Sequence, residues 1–148
     1  MNYSHTQHAP LHYLLHAIGL VTLGVAFFTR EQWPAVAILC AVAALMFLCG
    51  FMFGDLTVRD EGDFLEVRFG PLPVFCVRIP YSNIRSVHRS RSALIDGWGI
   101  HSLPGRGTTY NLWGFDCAQL DVNGKTIRIG SDDVDRLVAF LETRTQRS

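Results

Sequence analysis

The organisation of this chain is decided by two apolar segments, LHYLLHAIGLVTLGVAFF (residues 11–28) and PAVAILCAVAALMFLCGFMFG (residues 34–54). The polar sequence TREQW joins them. A helix over the first segment would be about 27 Å long, close to the roughly 30 Å hydrocarbon thickness of a bilayer. The two segments therefore predict a transmembrane helical hairpin with spans at about 11–28 and 34–54.

The charge pattern changes after Gly54. Of the 13 Lys or Arg and 13 Asp or Glu residues, all but Arg30 and Glu31 follow Gly54. We therefore expect an N-terminal tail and hairpin over residues 1–54 and a separate domain over residues 55–148. A hairpin buried in a globular core would keep a polar face, which neither apolar segment shows. A cleaved signal peptide would carry basic residues at its start, but no Lys or Arg precedes Arg30.

Residues near the predicted spans suggest how the hairpin is oriented. Trp33 suits a membrane interface, and Pro34 suits the first turn of a helix. Two spans place both flanking segments on one side, so orientation depends on comparing Arg30 in the hinge with Arg59 and Arg68 beyond the second span. Two basic residues against one favour a cytoplasmic domain.

From Leu56 onward, short alternating stretches separated by turn residues predict β-strands. Asn123-Gly124 is typical of a two-residue type I′ hairpin, and Ser131-Asp132-Asp133 is typical of a helix start. The predicted class is α+β: the hairpin, then a seven-stranded antiparallel barrel or sandwich with one C-terminal α-helix. The seven strand candidates are LTVR, FLEVRF, VFCVRIP, NIRSVHRSRSALI, TTYNLW, CAQLDV and KTIRIG.

This order of elements resembles bacterial membrane proteins of the pleckstrin-homology-like (bacterial PH) family. The resemblance covers most of Leu56 to Glu142, and the matching residues are Arg68-Phe69-Gly70-Pro71, Ile79-Pro80 with Ile84, Gly97-Trp98-Gly99-Ile100, Tyr110-Asn111 and Ile129-Gly130-Ser131-Asp132-Asp133. It implies a PH-like barrel, a bacterial inner (cytoplasmic) membrane location, and a non-catalytic interaction or scaffolding module. Such a module would bind itself or a protein partner and would need no cofactor.

An arginine-rich stretch provides the first candidate site. Strand alternation would place Arg85, Val87, Arg89 and Arg91 on one face. The three guanidinium groups could hold anionic lipid headgroups or another anionic ligand. The alternative is a solvated strand face that pairs with acidic neighbours.

The tip of the first predicted hairpin differs from that of the familiar eukaryotic pleckstrin-homology domains that bind phosphoinositides. Those domains carry basic residues there, whereas this chain has Asp60-Glu61-Gly62-Asp63. No residue is therefore assigned as a phosphoinositide ligand, and solvation explains the four polar turn residues most simply.

Histidines near the N-terminus form a second candidate site. If residues 5–16 were helical, several of the imidazoles of His5, His8, His12 and His16 would share one face, as in a metal or haem site. No Cys, Asp or Glu lies near them in sequence, and the second span contains no histidine. His12 and His16 could instead be polar side chains near the membrane interface.

The remaining motifs carry weaker signals. Cys40, Cys49, Cys76 and Cys117 lack the close spacing of zinc or redox sites and are interpreted as small apolar residues. Asp96, His101 and Ser102 are close in sequence, but no nucleophile-elbow motif accompanies them. Ala37, Ala41 and Ala44, with Gly50 and Gly54, could allow close helix packing. The formal net charge of zero gives no sign of nucleic-acid binding.

Overall fold

The structure is a computed structural model that describes residues 2–72, 74–93 and 98–146. The chain divides into two compact units. One comprises Ala9–Gly54, and the other comprises Met1–His8 together with Asp55–Ser148. We call them the hairpin unit and the sheet unit and describe each by itself.

The hairpin unit consists of helix α1 (Leu11–Phe28) and helix α2 (Trp33–Met52). Both agree closely with the predicted spans, and Pro34 lies in the first turn of α2. Small residues occupy the contact between the helices: a Cβ atom added to Gly19 would lie 3.1 Å from the Phe47 ring. One added to Gly50 would lie 2.5 Å from the imidazole of His16.

Most apolar side chains of the hairpin unit face outward. Only 11% of the residues of α1, and 17% of those in an 18-residue segment of α2, are buried. Both helices are long and apolar enough to cross a membrane. Phe28 is 86% exposed and Leu20 is 63% exposed. By length and composition, these two helices are candidate membrane spans.

The first sheet of the sheet unit has the order β1-β2-β3-β4, and all neighbours are antiparallel. Its strands are β1 (Ser4–His8), β2 (Asp55–Asp60), β3 (Phe64–Phe69) and β4 (Phe75–Pro80). Alternation buries Leu56 and Val58 on β2 and Leu65, Val67 and Phe69 on β3. A 3-10 turn at Tyr81–Asn83 follows β4.

The second sheet has the order β5-β8-β9-β7-β6. Its strands are β5 (Ile84–Arg91), β6 (Gly99–Leu103), β7 (Gly107–Asn111), β8 (Asp116–Val122) and β9 (Lys125–Gly130). Asn123 has φ 53° and Gly124 has φ 82°, so the predicted two-residue turn between β8 and β9 is confirmed.

Helix α3 (Val134–Thr145) completes the sheet unit and packs against β5 and β8. Val134, Leu137 and Leu141 form its buried face, as the helical spacing predicts. The Ser131 hydroxyl accepts a hydrogen bond from the Asp133 backbone N–H at 3.0 Å, which organises the chain just before the helix.

The structure confirms an α+β architecture but corrects the predicted barrel. Nine strands, rather than seven, lie in the described ranges, and they form two sheets without closing a barrel. Not all strand pairs are antiparallel, because β7 and β9 run parallel. The sequence analysis missed β1 and β6. β1 pairs with β2, and the paired residues lie 47 or more positions apart in sequence. β6 is a short strand between two glycine-containing stretches whose sequence resembles a loop.

Candidate functional site

The sheet unit contains a buried carboxylate at the end of β2. The side chain of Asp60 is only 1% exposed, although the sequence analysis placed it in a solvated turn. The Tyr81 hydroxyl donates to its Oδ1 at 2.9 Å, and the Gly62 backbone N–H donates to the same oxygen at 3.0 Å. The guanidinium group of Arg144, near the end of α3, donates to its Oδ2.

These contacts determine the charge state of the cluster. Burial opposes ionisation of Asp60, but the hydrogen bonds from Arg144, Tyr81 and Gly62 outweigh it and lower the Asp60 pKa below its ordinary value of 3.8. Burial and the adjacent carboxylate raise the pKa of Tyr81. Asp60 is therefore ionised and Tyr81 neutral near pH 7, and the ion pair ties the β2–β3 turn to α3.

Aromatic rings and guanidinium groups continue this cluster. The Tyr3 ring stacks on Phe140 at a centroid separation of 5.3 Å, and Phe140 meets Tyr81 edge-on at 6.3 Å. Arg144 lies over Tyr81 and Phe140 at 5.5 and 5.6 Å, while Arg136 lies 5.8 Å from the Tyr3 ring centre. The N-terminal segment is thereby held against α3 by stacking and cation–π contacts.

A shallow cleft of about 380 Å³ opens beside this cluster and is lined by Asn2, Tyr3, Arg136, Ala139, Phe140, Thr143 and Arg144. Its two guanidinium groups already have acidic neighbours, because Arg144 binds Asp60 and Arg136 lies 3.8 Å from Asp133. Burial raises the pKa of Tyr3 to about 12, so its hydroxyl stays protonated at neutral pH. The contacts of Arg144 with Asp60 and of Tyr3 with Phe140 thus hold the β2–β3 turn and the N-terminal segment against α3.

The arginine stretch becomes strand β5, but its predicted face is only partly formed. Val87, Arg89 and Arg91 pair in register with alternate residues of β8, whereas Arg85 lies where the register shifts between Ile84 and Ser86. Arg85 therefore falls outside the regular alternation that was expected to align it with the other two arginines.

Acidic residues surround the two remaining arginines. Arg89 donates to the Asp135 carboxylate of α3 at 2.7 Å, and Arg89 and Arg91 lie 3.9 and 3.7 Å from Asp116. These pairs match the alternative in which a charged strand face binds acidic neighbours. Anion binding by Arg85, Arg89 and Arg91 stays a prediction.

The histidines do not lie on one continuous helix. His5 and His8 belong to β1 in the sheet unit, whereas His12 and His16 belong to α1 in the hairpin unit. The helical spacing argument therefore fails before Leu11. His5 contacts the Asp132 carboxylate at 2.5 Å, and His8 contacts that of Asp55. Across residues 2–72, 74–93 and 98–146, no group of three or more His, Cys, Asp or Glu side chains is arranged to hold a metal ion.

An exposed aromatic pair lies beside the edge strand β6. The rings of Trp98 and Trp113 are 4.5 Å apart between centroids, and these residues are 41% and 38% exposed. Ile100 on β6 is 38% exposed. We call Trp98, Ile100 and Trp113 the Trp patch. In the sequence, Trp98 and Ile100 were noted only for the family resemblance, and their exposure beside Trp113 is a property of the fold.

The other residues near β6 bond locally. The His101 imidazole bonds the Trp98 carbonyl at 2.7 Å, and the Ser102 hydroxyl lies 3.1 Å from that of Thr108. Asp96 and Gly97, which the sequence analysis named with them, lie outside the described residues.

The small residues of α2, with Gly54 just beyond its end, divide between two environments. Gly50 packs against His16 of α1, and Gly54 approaches His12. Ala37, Ala41 and Ala44 are exposed, while Ala43 is the buried alanine at the contact with α1. The predicted alanine face therefore does not form the contact inside the hairpin.

The four cysteines differ in their exposure. Cys117 is fully buried in the second sheet and fits the interpretation as a small apolar residue, whereas Cys40 and Cys76 are exposed.

No protein-family model and no curated protein sequence matches this chain. The resemblance to pleckstrin-homology-like proteins therefore stays a prediction.

Proposed function

We propose that this protein is a membrane-anchored, non-catalytic interaction module that associates with a second copy of itself. The outward-facing apolar surface of α1 and α2 is the observation that supports the anchor. The hairpin unit would span a bacterial inner membrane, and the sheet unit would lie on the cytoplasmic side, where Arg59 and Arg68 outnumber Arg30 of the hinge.

The Trp patch and the adjacent edge of β6 support self-association. Among residues 2–72, 74–93 and 98–146, β6 pairs with β7 on one side only, and its other edge would pair with the same edge of a second copy. Ile100 on β6, Trp98 just before it, and the Trp113 ring that packs on Trp98 would supply apolar contact area. In a symmetric pair each copy would present the same β6 edge and the same Trp patch.

Membrane anchoring strengthens such a contact. Two copies confined to one bilayer meet at a much higher effective concentration than in free solution, so a modest interface is sufficient. The non-catalytic role is supported by Asp60, which accepts hydrogen bonds from Tyr81 and Arg144 and so holds the fold together. The alternative role, sensing anionic headgroups through Arg85, Arg89 and Arg91, has less support because Asp116 and Asp135 lie beside two of these arginines.

Photo-crosslinking in membranes tests the proposal. A photoreactive amino acid at Ile100 of the full chain should give dimeric adducts, because this position lies within the Trp patch. The same amino acid at Asp63, which is exposed in the β2–β3 turn, is the matched control and should give none. Replacing Trp98 and Trp113 with alanine should abolish the Ile100 adduct. Recovery of monomer alone, or equal adducts from both positions, would contradict self-association through this surface.

A further inference from the structure

The connection between β3 and β4 carries exposed apolar side chains. Leu72 is 54% exposed, Val74 is 66% exposed and Phe75 is 39% exposed. We call these three residues the apolar loop. The sequence from Phe69 to Val77 contains no charged residue, and an arginine flanks it on each side. Large apolar side chains grouped at a strand connection usually mark a contact surface, since such connections are normally polar.

Strand register fixes where the apolar loop lies in the sheet unit. His8 pairs with Asp55, Leu56 pairs with Phe69, and the Gly70 backbone N–H donates to the Asp55 carbonyl at 2.8 Å. The loop that follows Gly70 therefore lies at the same end of the first sheet as His8 and Asp55. The β2–β3 turn, which contains Asp63, lies at the opposite end.

That same end of the sheet carries both connections to the hairpin unit. The chain leaves β1 at His8 and enters α1 at Leu11, and it leaves α2 at Met52 and enters β2 at Asp55. Each connection has only two residues and spans at most about 10 Å between its flanking residues. If α1 and α2 cross a bilayer, this end of the first sheet is consequently kept close to the membrane surface.

We propose that the apolar loop inserts into the interfacial region of the bilayer in which the hairpin is anchored. The inference rests on the proposed membrane hairpin. Leu72, Val74 and Phe75 would enter the boundary between headgroups and acyl chains, while Arg68 and Arg78 remain at the level of the phosphates. Together with the two chain connections, the loop would give the sheet unit a third attachment to the membrane and restrict its rotation.

Depth measurements on the full-length chain test this inference. Cys40, Cys49 and Cys76 are replaced with alanine, and the buried Cys117 is retained. Single labelling sites are introduced as Val74→Cys in the apolar loop, Asp63→Cys at the opposite end of the sheet, and Ile38→Cys on α2, where the side chain is 65% exposed. Each variant is labelled with the fluorophore NBD and reconstituted into phosphatidylcholine–phosphatidylglycerol vesicles with or without doxyl-labelled lipids.

We expect the emission of the label at position 74 to be blue-shifted and to be quenched more by shallow than by deep doxyl groups. This pattern corresponds to insertion of about 5–10 Å at the interface. The label at position 63 should emit as in water and remain unquenched. A label at position 74 that behaves like the one at position 63, while position 38 is quenched, would overturn the loop proposal alone.

Two further outcomes are informative. Blue-shifted emission at position 74 without doxyl quenching would show that protein rather than lipid covers the loop, and it would also overturn the proposal. An unquenched label at position 38 would refute the membrane hairpin itself, so the two failures are distinguishable.

Discussion

Replacing Asp60 with asparagine removes one charge from the buried ion pair while keeping nearly the same side-chain shape. The amide oxygen can still accept hydrogen bonds from Tyr81 and Gly62, but Arg144 loses its anionic partner. Breaking a buried pair in this way costs about 3–5 kcal/mol when the remaining charge stays buried. The Arg144 side chain is 29% exposed and can regain part of its hydration, so we expect a loss of about 2–3 kcal/mol.

Thermal unfolding of the full chain in mild detergent, followed by near-ultraviolet circular dichroism, measures this loss. For a unit of about 100 residues, the expected decrease in Tm is about 10–15 °C. The folded-state pKa of Asp60 is lowered, so its stabilising contribution is complete above its unfolded pKa and is lost as pH falls through the folded pKa. The stability difference between wild type and Asp60→Asn should therefore hold at neutral pH and shrink below about pH 4.

Asp63→Asn is the matched control, because Asp63 belongs to the same turn and is exposed. It should change the free energy of unfolding by no more than about 0.5 kcal/mol. The reasoning would be refuted if Asp60→Asn and Asp63→Asn unfolded at the same temperature near pH 7, or if the difference between wild type and Asp60→Asn grew on acidification.

Two glycine comparisons give further predictions. Gly107→Ala should destabilise the sheet unit by more than about 2 kcal/mol, because Gly107 has φ 88° and an added Cβ would lie 2.1 Å from a β9 carbonyl oxygen. Gly105→Ala, where φ is 76° but the surrounding space is open, should cost about 1–2 kcal/mol. Equal melting temperatures for the two variants would contradict the packing argument. Gly50→Ala should weaken the α1–α2 contact, since its Cβ would lie 2.5 Å from a histidine ring of α1. Gly24→Ala, which meets nothing within 4 Å, should leave the yield of folded protein in detergent unchanged, and size-exclusion chromatography of both variants checks this.

Local patterns predicted most of the elements. The two apolar runs are long enough to define α1 and α2, and the Asn123-Gly124 dipeptide specifies its own turn through positive φ angles. The amphipathic spacing of α3 was likewise readable, because a period near 3.6 residues is a property of a single segment.

Features that depend on distant partners were not predictable in the same way. β1 is separated from β2 by the entire hairpin, and the five residues of β1 do not reveal in their sequence that they pair with β2. Asp60 looked like a turn residue because its partner Arg144 lies 84 positions later. The parallel pairing of β7 with β9 depends on the order in which strands enter the sheet, which alternation alone does not encode.

The candidate sites show the same limit. Strand alternation placed Arg89 and Arg91 together, but the register shift beside Arg85 and the approach of Asp135 from α3 are tertiary properties. The apolar loop was visible in sequence as an uncharged stretch. Its importance emerged only when strand register placed it at the end of the sheet that carries both connections to the hairpin unit.

The accessibility of the Cys40 thiol shows whether the hairpin spans a membrane. Cys40 is exposed on the surface of α2, so only surrounding lipid would protect its thiol from a water-soluble maleimide. In opened membrane vesicles that contain variants with Cys49 and Cys76 replaced by alanine, we expect the reagent to label a cysteine introduced as Asp63→Cys but not to label Cys40 until the membrane is dissolved in denaturing detergent. Equal labelling of both thiols in intact bilayers would contradict it.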